Sequence, residues 1–449
     1  MSHRCCDRRN FLKLLGVAGG SLLATRLMTP EMVLAQSVSG GSGKNLILIN
    51  LTGGCDGLQL ISYANGVLAD TLSGLRPTIG VPRAQLLQPF NGNGISSPIG
   101  LHPAMQPLLS TIATHGRVIQ KYGILADVGR SHDLCQLIMD LGASQSSPSQ
   151  KGFMAKFADQ LNFQLFQYWG FSDSLNGFGF NTDNAVPLVV RDLDSLSIGD
   201  IWSSWGAGDN QQVRDARHLL LEAELGGDQI KERYKKARVT VSNALLRIRT
   251  DFSTQKVGSN SAGNYDDTSF GRSLKDTARV LKAKYQATSL GLADKTTAIS
   301  LAQGGYDHHS GINDPENDGN FPKLVGSLAN NLAVLIEDLK SFGGWEKTAI
   351  VLFSEFGRTN HENGAAGRGS VGTDHGWGSN TLVLGGAVNP GVSGDNPTST
   401  ELLDNEIDAL IPTTDYRDIF SDVFRWIGVE PKAIFDDAAY IPKGLGLFN

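Results

Sequence analysis

Short, nearly continuous apolar runs recur along the chain and predict buried β-strands. They lie at residues 46–51, 118–124, 297–302, 348–353 and 381–384. Strands that are apolar on both faces are typical of a mostly parallel sheet that helices cover on both sides. These runs therefore predict a central sheet buried within the domain.

Helical patterns alternate with these runs. Between 321 and 342, apolar residues recur at steps of three and four, which is typical of a long amphipathic helix. Shorter helices are predicted at 102–112, 133–141 and 414–427. Strands that alternate with helices indicate the α/β class, with a mostly parallel central sheet flanked by helices.

Residues 150–290 differ in composition from the rest of the chain. Polar helices are predicted there at about 211–225, 229–252 and 268–287, and the Ser-, Asn- and Gly-rich stretch 253–267 separates the last two. The clear strand pattern resumes only after this block. We interpret the block as a helical insertion that covers one edge of the main sheet.

The N-terminal segment is similar to an export signal. Residues 7–13 read Asp-Arg-Arg-Asn-Phe-Leu-Lys, close to the twin-arginine motif, and an apolar stretch and a small-residue cleavage site at 33–35 follow. We predict a Tat signal peptide at 1–35 and a mature domain at 36–449, periplasmic or secreted, with the Tat machinery as a partner. The alternative is a short membrane anchor, although the stretch is shorter than the roughly 20 residues needed to span a bilayer.

The charge balance excludes some partners. The net charge is −6, and residues 1–35 carry five basic and two acidic residues, so it becomes −9 when they are removed. An acidic surface repels nucleic acid and anionic lipid, so neither is an expected partner. No segment after the signal is apolar enough to cross a membrane.

Acidic, imidazole and hydroxyl side chains lie close to the predicted strand ends. They are Asp56 after the first strand, Ser131 and His132 after the second, Asp307, His308 and His309 after the third, Glu355 after the fourth, and Asp374 and His375 before the last. Ligands of open α/β sheets bind beyond the carboxyl ends of the strands, so we expect these side chains to meet at one rim. One or two divalent ions (zinc, manganese, magnesium or calcium) would hold crowded carboxylates together.

Each of these motifs also has a structural alternative. Asp56 and the glycine after it could form a simple turn, and His308 and His309 could be surface residues. The segment 373–375 lies between glycines and has few packing partners, which favours a functional role.

Six short motifs occur in the order in which they occur in one protein family. They lie at 53–58, 101–103, 130–132, 304–309, 354–358 and 372–376. The ordered set, within about residues 45–428, resembles the Tat-exported domain-of-unknown-function family "fifteen-oh-one" of the alkaline phosphatase/sulfatase-like superfamily. The resemblance implies an alkaline phosphatase-like fold and a centre of two metal ions. By this resemblance, Asp307, His309 and His375 are ligands of one ion, and Asp56 and Glu355 are ligands of the other.

The resemblance also assigns a nucleophile and shows a departure. Ser131 lies where the nucleophile of the superfamily would be, at the start of a helix. Glu355 and Phe356 stand where the superfamily has an Asp-His pair. Either His308 or His132 replaces the missing imidazole, or the second ion is weakly bound or absent.

Four further residues have open roles. Arg358 either binds a substrate oxyanion or neutralises nearby carboxylates, and Asp374 is an additional possible metal ligand. Cys55 and Cys135 are not followed by the Cys/Ser-x-Pro-x-Arg signature, so a formylglycine sulfatase is not expected. Because each cysteine lies near a site motif, we predict either a Cys55–Cys135 disulfide or two buried free thiols.

These features predict an exported metal-dependent hydrolase that acts on phosphate or related oxyanion esters. The alternative is a non-catalytic metal-containing protein that binds an envelope polymer or assembles with an exported partner. A weaker third possibility is an enzyme that modifies carbohydrate or lipid headgroups by another reaction.

Overall fold

The computed structural model describes most of the chain that follows the predicted signal. The described ranges are 42–91, 97–145, 151–171, 177–194, 244–364, 371–435 and 437–449. The predicted signal at 1–35, the predicted helix at 211–225 and most of the one at 229–252 lie outside these ranges. Within the described ranges, no helix combines the length and the apolar composition needed to cross a bilayer.

A central, mostly parallel sheet organises the described residues. In chain order the strands are β1 (Asn45–Leu51), β2 (Ile61–Tyr63), β3 (Ile99–Leu101), β4 (Gly116–Gly123), β5 (Tyr168–Phe171), β6 (Pro187–Val190), β7 (Thr297–Gln303), β8 (Thr348–Phe353), β9 (Ser379–Leu384), β10 (Gly391–Ser393) and β11 (Thr414–Asp415). The main sheet has the order β10-β4-β9-β8-β1-β7-β5-β6, with β11 beside β4. Among the described strands of this sheet, only β9 is antiparallel to its neighbours. β2 and β3 form a separate two-stranded antiparallel sheet. The predicted α/β class is therefore confirmed.

Helices flank the sheet as the apolar periodicity predicts. They are α1 (Gly57–Leu60), α2 (Gly66–Leu75), α3 (Leu109–His115), α4 (His132–Leu141), α5 (Phe153–Gln160), α6 (Ser269–Gln286), α7 (Phe321–Ser341), α8 (Ser399–Leu402) and α9 (Tyr416–Ile427). The predicted helix at 321–342 is confirmed as α7, whose apolar stripe is buried. The predicted helices at 133–141, 268–287 and 414–427 correspond to α4, α6 and α9.

The predicted helix at 102–112 is divided in two. A 3₁₀ turn spans Pro103–Leu108, and α3 follows it. Pro107 lies inside the turn and has no N–H group for an α-helical hydrogen bond, which explains the break. His102 caps the turn, because its Nδ1 accepts a hydrogen bond of 3.1 Å from the backbone N–H of Ala104.

One edge of the sheet differs from the predicted helical insertion. Between residues 150 and 290 the chain adds β5 and β6, which pair in parallel with each other and, through β5, with β7. This edge is therefore built of strands as well as helices. The prediction missed them because each has only four residues, too few for a visible period.

Both faces of the sheet are buried. On β1, Ile47 and Ile49 pack into the core half that includes α6 and α7, whereas Leu46 and Leu48 pack into the half that includes α4, α5 and α9. This alternation follows from the two-residue period of a strand. Because the helices and the core cover both faces of the sheet, a site can form in the loops at the carboxyl ends of the parallel strands.

The two cysteines of the mature domain do not form the predicted disulfide. Cys55 and Cys135 are both free and buried. Cys55 belongs to the hydrophobic cluster on the α7 side and Cys135 to the one on the α4 side. The alternative prediction, two buried thiols, describes the structure.

Candidate metal centre

Three imidazole rings converge on one carboxylate at the rim of the sheet. His132 is the first residue of α4, Asp307 and His309 lie in the loop after β7, and His375 lies in the loop before β9. The Nε2 atoms of His309, His132 and His375 lie 3.1, 3.5 and 3.6 Å from Asp307 Oδ1. The structure therefore brings together Asp307, His309 and His375, the predicted ligands of one ion, and His132, one of the two candidates for the missing imidazole.

The other nitrogen of each ring is held by an acceptor. The Nδ1 atom of His309 lies 2.7 Å from Asp374 Oδ1, that of His132 lies 2.7 Å from Glu355 Oε1, and that of His375 lies 2.7 Å from the carbonyl oxygen of Arg130. An Nδ1 that faces an acceptor carries the proton, so the Nε2 of a neutral ring presents its lone pair. Histidines that bind metals are oriented by partners of the same kind.

The donor set fits a divalent ion. The Nε2 atoms of His309 and His375 lie only 3.0 Å apart, where two lone pairs would repel each other. His132 Nε2 is buried without a hydrogen-bond partner among the described residues. Tetrahedral zinc with bonds of about 2.0–2.2 Å would separate its ligand atoms by about 3.4 Å, close to the distances observed here.

Two combinations of three residues could supply the metal ligands, and both include Asp307 and His375. Ligand atoms of His132, Asp307 and His375 all lie within 4.8 Å of one another. His309 approaches Asp307 and His375 still more closely. Asp307 and His375 are therefore common to both sets, and either His132 or His309 completes the set.

Burial and charge favour the metal-binding protonation states. Burial, together with the charges of Arg358 and the neighbouring imidazoles, lowers the pKa of His375 below its usual value, so the ring is neutral at pH 7. Burial opposes ionisation of Asp307, but the Arg358 guanidinium outweighs it and holds the pKa of Asp307 below its usual value. The hydrogen bond from His309 likewise lowers the pKa of Asp374.

Arg358 serves the site by neutralising a carboxylate. Its Nη2 donates to Asp307 Oδ1 over 2.6 Å, and its other donors reach backbone carbonyls that include those of Gly54 and Thr373. The residue is only 2% exposed, so a substrate oxyanion cannot reach it. The structure supports the neutralising role and not the substrate-binding one.

Protein donors engage Asp56 and Glu355, the predicted ligands of a second ion. Asp56 is buried and is bonded to Arg76, to the hydroxyl of Thr373 and to the N–H of Gln59. Both oxygens of Glu355 also accept hydrogen bonds. Its Oε1 accepts from the backbone N–H of Gly53 and from His132 Nδ1, and its Oε2 accepts from the hydroxyl of Ser354. Glu355 therefore positions His132, and Asp56 belongs to an internal ion pair.

Phe356 forms an apolar wall where the resemblance leads one to expect an imidazole. Its ring centroid lies 4.7 Å from that of His132 and 4.8 Å from that of His375. Gly54 makes this packing possible, because it has a φ of +66° and a Cβ there would collide with the phenyl ring. The wall limits the freedom of both imidazoles.

The remaining predicted residues have separate positions. His308 points away from the cluster, with its Nε2 2.8 Å from the carbonyl of Gly319, and burial lowers its pKa. Asp374 contacts His309 and does not join the ligand atoms. Ser131 is exposed at the N-cap of α4 and makes no side-chain cap hydrogen bond. Its predicted role as nucleophile stays a prediction.

Two arginines in the site were missed from the sequence. The backbone carbonyl of Arg130 accepts a hydrogen bond from His375 Nδ1. In return, the Arg130 guanidinium donates a hydrogen bond of 3.0 Å to the backbone carbonyl of His375. Arg76, at the end of α2, binds Asp56. The motif at 130–132 contained a signal for Arg130, whereas nothing near Asp56 in the sequence indicates Arg76.

Comparison with known families agrees with the resemblance for the C-terminal part of the chain. Residues 268–445 match the model of the family described as "Protein of unknown function (DUF1501)". This range contains Asp307, His309 and His375, and His132 precedes it. The chain matches none of the curated proteins.

Several solved structures are similar to the chain at low identity. The lipoteichoic acid synthase LtaP from Listeria monocytogenes is 11% identical, with 88% of this chain and 78% of that chain covered and a TM-score of 0.33. A protein in the alkaline phosphatase superfamily from Vibrio parahaemolyticus is 13% identical, with 93% and 75% covered and a TM-score of 0.35. The sulfatase PsFucS1 from Pseudoalteromonas sp. is 12% identical, with 97% and 77% covered and a TM-score of 0.33.

Proposed function

We propose that this chain is an exported, metal-dependent hydrolase of phosphate or related oxyanion esters. The convergence of imidazole Nε2 atoms on Asp307 Oδ1, with each Nδ1 held by an acceptor, carries this proposal. Asp307 and His375 would hold the ion together with His309 or His132. An imidazole-rich donor set suits zinc, with manganese as the second choice.

The site is open to a substrate. The side chains of Asp307 and His309 are both 47% exposed, and that of Asp374 is 59% exposed. A divalent ion bound there would act as a Lewis acid and stabilise negative charge on the ester oxygens. An anionic ester could therefore approach from solvent without any rearrangement of the buried core.

The chain itself supplies the means to orient an anion and to attack it. Helix α4 begins at His132, so the positive end of its dipole lies at the site and favours negative charge. The exposed hydroxyl of Ser131 is adjacent to this ring in the chain and is the proposed nucleophile. Phe356 packs against both His132 and His375 and forms an apolar wall on one side of the site.

A second candidate function has a specific observation in its favour. Asp56 and Glu355, the predicted ligands of a second ion, are engaged by protein donors, which supports a centre with a single ion. A protein with one ion could bind an envelope polymer, or assemble with an exported partner, without turnover. Metal content and hydrolysis must therefore be measured together.

The test uses the mature protein, residues 36–449. Metal content is measured by mass spectrometry, and hydrolysis is measured with nitrophenyl phosphate monoesters, diesters and sulfates. We expect bound metal and turnover of a phosphate ester, and we expect both to be lost in His375→Ala. His361→Ala is the matched control, because His361 also pairs with an aspartate, Asp408, but lies outside the cluster.

The outcomes separate the two functions. If Ser131→Ala loses turnover but still binds metal, the result would support the assignment of Ser131 as the nucleophile. Bound metal without turnover of any ester would favour the binding protein. Turnover that survives His375→Ala would refute the proposed centre. Export is tested separately by replacing Arg8 and Arg9 with lysine and following the protein in the periplasm and the medium.

A further inference from the structure

We propose that the guanidinium of Arg76 takes the place of a second metal ion, so that the centre binds a single divalent ion. The proposal deepens the proposed function, since the first ion is the one held by Asp307 and His375. It does not depend on ester hydrolysis. It rests on the contacts of Asp56 and Arg76 and on the charge balance of the site.

Asp56 has no lone pair left for a metal. Its Oδ1 accepts from the N–H of Gln59 at 2.9 Å and from Arg76 Nη1 at 3.0 Å, and its Oδ2 accepts from the same Nη1 at 3.0 Å and from the Thr373 hydroxyl at 3.1 Å. The side chain is only 3% exposed. An ion could bind Asp56 only by displacing donors from a buried carboxylate, which is costly.

Arg76 is built into the site as firmly as its partner. Its side chain is 1% exposed, and Nε and Nη2 donate to the carbonyls of Asn360 and Thr359. A buried guanidinium is always charged and presents its donors in a fixed fork. It therefore supplies a permanent positive charge beside Asp56 that does not depend on the supply of metal.

The charges of the connected side chains balance with one divalent ion. The acidic members are Asp56, Asp307, Glu355 and Asp374, and the guanidinium groups that pair with these carboxylates are those of Arg76 and Arg358. Arg130 is not counted, because its guanidinium donates to backbone carbonyls and pairs with none of these carboxylates. With neutral imidazoles, this set has a net charge of −2 by count of these residues. One divalent ion neutralises it, whereas two would leave an excess of positive charge in a partly buried site, which is unfavourable.

The ion pair also acts on the metal-binding loop. Thr373, whose hydroxyl donates to Asp56, lies two residues before His375, and its carbonyl accepts from Arg358 Nη1 at 3.0 Å. The contacts of Arg76 and Asp56 therefore fix the loop that carries His375. A metal ion in this place would do the same only when it is bound.

The experiment counts metal ions and follows thermal stability. The wild type is loaded with excess Zn²⁺ or Mn²⁺, freed of weakly bound metal, and examined by native mass spectrometry, and we expect one ion per chain. In Arg76→Met, Asp56 is left as an uncompensated buried carboxylate, so we expect a lower Tm. Millimolar Mn²⁺ should then add a second ion and raise the Tm of this variant by about 2 °C or more, with a smaller effect on the wild type.

Two control variants make the result specific. Arg417→Met breaks another buried pair, in which Arg417 and Asp415 are 5% and 7% exposed, and it should lower the Tm without any rescue by Mn²⁺. The double variant Asp56→Asn/Arg76→Met removes both charges and should bind one ion, again without rescue.

The proposal has clear contrary results. Two tightly bound ions in the wild type would overturn it, as would Mn²⁺ responses of equal size in Arg76→Met and Arg417→Met. If Arg76→Met does not fold, the wild-type ion count still decides, together with Arg76→Lys, which keeps the charge and should bind one ion. Because neither readout uses an ester, a failure here leaves the hydrolase proposal standing, and the reverse also holds.

Discussion

Replacing Asp374 with asparagine would test whether the anchored imidazoles are arranged for a metal. The Oδ1 of Asp374 lies 2.7 Å from His309 Nδ1, so an asparagine oxygen in the same place could still accept this proton. The substitution removes the negative charge of Asp374. It is this charge that makes His309 a stronger electron donor at Nε2 in the wild type. The hydrogen bond from Asn363 over 3.3 Å provides a further restraint on the side chain.

The expected loss follows from the strength of the hydrogen bond. A hydrogen bond to a charged group is worth about 1.5–3 kcal/mol and a neutral one about 0.5–1.5 kcal/mol, so the change costs about 1–1.5 kcal/mol. The side chain of Asp374 is 59% exposed, so solvent screening keeps the loss within this modest range. We expect metal affinity to fall about tenfold, at the lower end of the losses caused by changing the partners of metal ligands.

The assay is competition for zinc against a chromophoric chelator at pH 7.5, with folding checked by circular dichroism. Asp408→Asn is the matched control, because Asp408 Oδ1 lies 2.7 Å from His361 Nδ1 in a pair outside the cluster. We expect its metal affinity to equal that of the wild type. An affinity of Asp374→Asn within twofold of the wild type, or an equal loss in Asp408→Asn, would refute a ligand role for His309 and leave His132 as the third ligand.

Three further predictions concern the structure around the site. Burial lowers the pKa of His102 to about 4 from 6.5. Between these pH values the unfolded state therefore binds more protons than the folded state. The contribution of His102 to the free energy of unfolding is complete above pH 6.5 and falls by about 3 kcal/mol as the pH drops to 4. Urea unfolding at pH 7 and pH 4.5 should show this loss, and His102→Asn, which keeps a capping side chain, should reduce it; an equal pH dependence in the variant would contradict the assignment. Gly54→Ala should lower the free energy of unfolding by about 1–3 kcal/mol, since the new Cβ meets the Phe356 ring at a positive φ; a neutral effect would contradict this packing. Denatured, unreduced mature protein should titrate two thiols, Cys55 and Cys135, and none would indicate a disulfide.

Much of the fold could be predicted because its strands are long and apolar. β1 and β8 are buried along their whole length, and the sequence alone shows such runs clearly. β5 was missed because its four residues are too few to show a period. The proline-interrupted segment at 103–108 shows that apolar periodicity does not distinguish an α-helix from a 3₁₀ turn.

The candidate site could be predicted only in part. Asp307, His309 and His375 lie in loops next to strand ends, and the topology of a parallel sheet brings such loops together. The roles of Glu355 and Asp56 could not be read in the same way. Both are acidic and lie close to the end of a strand, but protein donors occupy their oxygens.

The partners of the imidazoles were the least predictable feature. The Nδ1 of His375 is held by the backbone carbonyl of Arg130. Every residue has such a carbonyl, so only the position of Arg130 in space makes it the partner. His132 replaces an imidazole at position 356 from another element, because the start of α4 lies beside that position. The sequence offers both His132 and His308 for this role, and only their positions in space distinguish them, since His308 Nε2 lies against the carbonyl of Gly319.

The central claim is that imidazole nitrogens and the carboxylate of Asp307 hold a divalent ion at the rim of the sheet. X-ray absorption at the zinc edge of the loaded mature protein tests it most directly. We predict a nitrogen and oxygen shell at about 2.0–2.1 Å with outer-shell scattering from at least two imidazoles, which His375→Ala should reduce or abolish. A shell without imidazole scattering, or one that His375→Ala leaves unchanged, would contradict the account.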